Sequence, residues 1–109
     1  MVLYYIQTWV ISDGLIDVHD DLLEIWLRYM VETFNLVEPI IISPPEGPEG
    51  GRCLVFEFVD AEDFYESFKA FFQDDINMEY LEQWINFIRF ETFRVTFWGK
   101  QISSDQESG

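Results

Sequence analysis

His19 is the chain's only histidine, and it stands among Asp17, Asp20 and Asp21, residue types that can move protons or hold a metal. Nucleophilic catalysis of the Ser/His/Asp or Cys/His kind also needs a nucleophile on a recognisable turn, and no nucleophile-elbow motif is present. The single thiol, Cys53, falls in an apolar run, which suits a small buried hydrophobe better than a nucleophile. Asp17, Asp20, Asp21 and Glu24 cluster, yet they lack the loop spacing and central glycine of a calcium-binding EF-hand. The loop Pro44 to Arg52 has glycines but no Lys-Ser/Thr ending and no helix after it, so it is not a phosphate loop. With 21 acids in 109 residues, some carboxylate pair always has a workable spacing for acid–base chemistry. That spacing therefore discriminates nothing. The residues imply no catalytic site, no specific metal site and no cofactor. His19 is expected on a solvated helix face, with its pKa raised by the acids around it.

The number of carboxylates is more informative than their spacing. Six cations, Arg28, Arg52, Lys69, Arg89, Arg94 and Lys100, leave a net charge of −15, while 18% of residues are aromatic. Disordered acidic tails lack such aromatics, so this chain folds around an aromatic core and displays acid outside. Scattered cations cannot grip a phosphate backbone, which excludes direct nucleic-acid binding. No apolar run approaches the length of a membrane span, and the acid would be repelled by an anionic bilayer. One cysteine allows no internal disulfide, consistent with a cytoplasmic setting.

Residue patterns set out the elements that must position these groups. Residues 2–11, rich in β-branched and aromatic types, predict a strand. Asp17 is placed to cap a helix running to about Asn35, with Leu23, Trp26, Leu27, Met30 and Phe34 on its core stripe. Val37 to Ser43 predicts a second strand and Cys53 to Val59 a third, with Leu54, Phe56 and Phe58 on one side. Asp60 caps a second helix carrying Phe64, Phe68, Phe71 and Phe72 on one stripe. After Gln73-Asp74-Asp75, Asn77 is the expected cap of a third helix with Leu81, Trp84, Ile85 and Ile88 inward. Phe90 to Trp98 predicts the last strand. Trp9, Tyr29, Tyr65, Tyr80 and Trp98 fall off the main stripes and are expected at the surface. The order is β-α-β-β-α-α-β, an α+β domain over 1–99 with a polar tail at 100–109. Its expected form is ferredoxin-like, a four-stranded antiparallel sheet with helices on one face.

Gly51 to Ala70, GRCLVFEFVDAEDFYESFKA, resembles the third strand and second helix of an RNA-recognition module. That module stacks bases on aromatics of its third strand, and the corresponding positions here are Cys53 and Val55. The resemblance implies shared architecture only.

A folded domain this acidic is expected to bind a basic protein, itself a nucleic-acid-handling one such as a nuclease, CRISPR effector or toxin. Under that expectation the chain is a non-enzymatic inhibitor of the phage or immunity kind, acting by electrostatic mimicry. Its contacts would be Asp60, Glu62, Asp63 and Glu66, then Asp17, Asp20, Asp21 and Glu24. The alternative is an assembly or scaffold subunit that forms a homodimer or docks through its sheet face.

Overall fold

The computed structural model describes residues 1–44 and 47–100. Strand β1 spans Val2–Ile11, helix α1 Ile16–Phe34, β2 Ile40–Ile42, β3 Gly51–Phe58, α2 Ala61–Gln73, α3 Asp75–Ile85 and β4 Ile88–Lys100. The strands form one sheet in the order β2-β3-β1-β4, every neighbouring pair antiparallel. This is the ferredoxin-like α+β arrangement expected, with α3 as the added helix. Lys100, expected to begin the tail, ends β4; the remaining tail residues, 101–109, lie outside the described ones.

Strand alternation divides the sheet into two different faces. Tyr5, Trp9 and Ile11 of β1 and Leu54, Phe56 and Phe58 of β3 point toward the helices, where they meet Leu23, Met30, Phe71 and Trp84 in one core. The opposite face carries Tyr4, Ile6, Val55, Ile40, Ile42 and Trp98, and no element of the described residues covers it. Trp9, expected at the surface, is 2% exposed and lies at the centre of the core. Phe72, expected inside, is 60% exposed, whereas Phe71 takes the core position.

Helix starts depart from the expected caps in two places. α1 begins at Ile16 after Leu15, with no side-chain cap, and Asp17 sits inside the first turn. The cap of α3 is Asp74, whose carboxylate accepts from the Asn77 N–H at 2.8 Å; Asn77 itself is buried. Asp60 does cap α2, accepting from the Asp63 N–H at 2.8 Å, while the Asp63 carboxylate accepts from the Val59 N–H at 3.0 Å. That is a capping-box variant built from two aspartates, in which the second carboxylate receives the N–H of the residue before the cap. α1 closes on Asn35 in the left-handed region at φ 56°.

β4 contains a bulge that strand patterning does not reveal. Thr8 pairs with Arg94 and Val10 with Arg89, so β4 holds three extra residues there. The Val10 N–H, which loses its ladder partner, donates to Thr92 Oγ1 at 2.9 Å, and Thr92 donates in turn to the Arg89 carbonyl. The fold yields one direct test of the capping assignments. Asp60→Ala should cost about 1 kcal/mol of unfolding free energy in urea denaturation, while Asp17→Ala should change it by less than about 0.5 kcal/mol.

Candidate functional site

The sheet and helices line a partly open cavity of about 250 Å³. Its walls are aromatic and aliphatic: Trp9 from β1, Trp26 and Leu27 from α1, Phe68 from α2, and Leu81 and Trp84 from α3. Phe72 stands at its exposed rim. Two side chains bring polarity to the lining from the middle of β1. Gln7 Nε2 donates to the Tyr5 hydroxyl at 3.1 Å, and among the described residues the Gln7 carbonyl oxygen has no partner. A hydroxyl and an amide side by side in an apolar hollow can read one polar group on an otherwise apolar molecule.

Behind the cavity lies His19, and its position contradicts the sequence expectation of a solvated residue. The ring is 0% exposed. Trp9 Nε1 donates to His19 Nε2 at 3.0 Å and Trp84 Nε1 donates to the same nitrogen at 3.1 Å. An atom accepting two N–H groups carries no proton, so the ring proton sits on Nδ1. Nδ1–H then donates to Asp20 Oδ1 at 3.0 Å, and Asp20 receives Arg52 Nε at 3.2 Å and Nη2 at 2.8 Å. Burial holds the imidazole below its ordinary pKa and outweighs the opposing pull of Asp20. For Asp20 burial pushes upward, but the Arg52 and His19 hydrogen bonds outweigh it and keep the carboxyl below its usual range.

The α2–α3 corner is fixed to α1 by two further contacts. Trp26 Nε1 donates to Asn77 Oδ1 at 2.7 Å, and Asn77 Nδ2 donates to the Phe71 carbonyl at 3.0 Å. The Tyr29 hydroxyl donates to the Asp74 carboxylate, with its oxygens at 2.8 and 2.9 Å. No single-residue signal in the sequence announces these partners, because each pair is 45 or 51 residues apart.

The acids singled out from sequence do not form one surface. Asp17, Asp20, Asp21 and Glu24 sit near the start of α1, beyond the end of β1; Asp60, Glu62, Asp63 and Glu66 sit at the start of α2, beyond the end of β3. Since β1 and β3 are antiparallel and register Leu3 with Phe58 and Val10 with Gly51, the groups stand at opposite ends of the sheet. Seven residues of extended chain, roughly 23 Å, separate those ends. Several of the acids are also engaged: Asp20 by Arg52, Glu24 by Arg28, Glu66 by Lys69, and Asp60 and Asp63 in the capping box. Asp17, Asp21 and Glu62 are exposed. Among the described residues no three His, Cys, Asp or Glu side chains are grouped to hold a metal ion, and no helix is long and apolar enough to cross a membrane.

No protein-family model and no curated protein sequence matches this chain. Solved structures do. Protein Atu4242 of Agrobacterium tumefaciens, described as a NIPSNAP family protein of unknown function, superposes with a TM-score of 0.76 at 16% identity, over 94% of this chain and 96% of that one. SnoaB of Streptomyces nogalater, a cofactor-independent oxygenase, gives 0.72 at 5% identity, over 94% of this chain and 96% of that one. A putative antibiotic biosynthesis monooxygenase of Bordetella bronchiseptica gives 0.72 at 12%, over 93% and 98%. At such identities the likeness is one of fold. It nevertheless corrects the expectation of a phage-type or immunity inhibitor that mimics nucleic acid. The structures matched along nearly the whole chain include NIPSNAP and monooxygenase-like proteins, and the acids meant to carry the mimicry are divided between two ends.

The pKa directions predict how stability follows pH. An imidazole whose folded pKa lies below its unfolded value of about 6.5 binds more protons when unfolded, so stability is full above that value and falls as pH drops through it. Asp20 adds a second loss below about pH 3.8, the ordinary carboxyl range. Urea denaturation at pH 8, 7, 6 and 5 should show a decline beginning near 6.5, and His19→Gln should remove that upper step.

Proposed function

We propose that this protein binds a small, flat, largely apolar molecule in the cavity between sheet and helices, with Gln7 and Tyr5 reading the molecule's polar end. The observation that carries the proposal is the cavity itself: about 250 Å³ of aromatic-walled space whose polar lining is the Gln7–Tyr5 pair and Asn77, the latter already bonded to Trp26 and the Phe71 carbonyl. An apolar cavity of ~150 Å³ already accepts benzene, so this one has room for two fused rings. That SnoaB, of the same fold, is a cofactor-independent oxygenase lends support to a small-molecule role. The proposal is for binding without turnover, since both nitrogens of the one histidine are engaged away from the cavity. A cytosolic setting goes with it, Cys53 being a free thiol.

The proposal includes a homodimer through the open sheet face. The strands hold only two of the chain's acids, Glu57 and Glu91. Ile40, Ile42 and Trp98 on that face are 58%, 48% and 61% exposed. Two sheets packed face to face, about 10 Å apart, would cover these side chains and leave both acidic helical layers outward. A second copy meets this face with the same apolar side chains, whereas an acidic helical layer would bury carboxylates against them.

Titration with 2-naphthol and with naphthalene, followed by tryptophan fluorescence, tests the cavity. Gln7→Leu should weaken 2-naphthol about 5- to 30-fold, a loss of about 1–2 kcal/mol, and leave naphthalene unchanged. Absence of saturable binding by either compound would sink the proposal. For the dimer, sedimentation velocity should show two copies for the native chain and one for Trp98→Lys. A native monomer at high micromolar concentration would refute that part alone.

A further inference from the structure

We propose that His19 is a positioning residue for the cavity: its Nε2 lone pair holds the Trp9 and Trp84 indoles in the wall, so ligand binds only while that imidazole is neutral. The inference rests on the cavity reading above. His19 does not line the cavity; the two indoles that do both point their N–H groups back at it, from β1 and from α3. The indoles meet edge to face, centroids 5.1 Å apart at 87°, so neither turns without displacing the other.

A proton from solvent added to Nε2 removes the lone pair that both indoles share. Three N–H groups then converge where two donors and one acceptor had met. In a buried site such an arrangement cannot persist, and the groups must part. The charged groups facing the ring do not offset this. Asp20, from α1, binds at Nδ1 and is itself held by Arg52 from β3; β1 and α3 bring only the indoles. The neighbouring space into which an indole can move is the cavity. A ligand seated against Trp9 and Trp84 keeps them on His19, and a proton on Nε2 drives them into the ligand's place. Ligand and proton therefore exclude one another, and the coupling is reciprocal.

The test uses 2-naphthol, which stays un-ionised across the range, titrated by calorimetry from pH 8 to pH 5 into the native chain and His19→Gln. Glutamine offers an oxygen to both indoles and does not titrate. For the native chain Kd should rise about tenfold for each pH unit below the His19 titration point, with one proton released per ligand bound there. The His19→Gln chain should bind with one affinity throughout. In the unmutated, ligand-free protein the Trp9 and Trp84 indole N–H resonances should titrate together with the His19 ring. Equal pH dependence in both chains, or indole resonances that stay fixed while His19 titrates, would overturn the inference. If 2-naphthol binds at no pH, the cavity reading fails, and the indole resonances still decide separately whether His19 positions the two rings.

Discussion

The shared acceptor at His19 Nε2 is the constraint around which the rest of the structure is arranged. Two indole N–H groups from separate elements reach one nitrogen on a third, in a place water does not enter. An unpaired buried N–H costs about 1–3 kcal/mol, so three elements are committed to a mutual geometry that satisfies every donor. The network ends at the surface, where Asp20 and Arg52 take up the remaining ring N–H. It sets the spacing between β1, α1 and α3, and with it the back wall of the cavity. Buried polar networks of this kind stabilise strongly when complete and fail badly when one member is lost.

The cavity follows from the same aromatic content that makes the core. Tyr5, Phe58, Phe64 and Phe68 pack tightly, with Phe64 and Phe68 centroids 4.4 Å apart and Tyr5 and Phe68 at 4.9 Å. Farther along the sheet the large rings of Trp9, Trp26 and Trp84 are tied by their N–H groups to His19 and Asn77. Rings held by hydrogen bonds at their edges cannot also turn to fill the centre. The space left between them is the candidate site. Proteins of this fold differ in function, so it is the site and not the fold that assigns a role.

The charge of −15 has a structural distribution that changes its meaning. Acid is concentrated on and around the helices, where part of it is used internally. Asp60 and Asp63 form a capping box, Asp74 serves both a helix start and Tyr29, and Asp20 orients His19. Acids at helix starts also meet the favourable end of the helix dipole. The sheet layer is left with few acids and a broad apolar face. The polarisation separates an acidic, solvated layer from one suited to contact.

Local rules were enough to make the element order, the α+β class and the inward side of β3 legible in the sequence. Alternation of Leu54, Phe56 and Phe58, the Asp60 cap, and the stripe through Leu23 and Met30 depend only on residues a few positions apart. The same reasoning misplaced His19 and Trp9. His19 has acids as sequence neighbours, which suggests solvent and a raised pKa; its spatial neighbours are indoles contributed by residues 10 and 65 positions away. Asn77 has the composition of a cap but answers to Trp26, 51 residues distant. The cavity was likewise invisible, because a void is a property of how side chains from six elements meet. By itself, then, the sequence determined the helices, the strands and the excess of acid, all of which rest on local periodicity and composition. Tertiary structure alone decided which polar groups are buried together, since hydrogen bonds in a dry interior are selected by three-dimensional fit rather than by position along the chain.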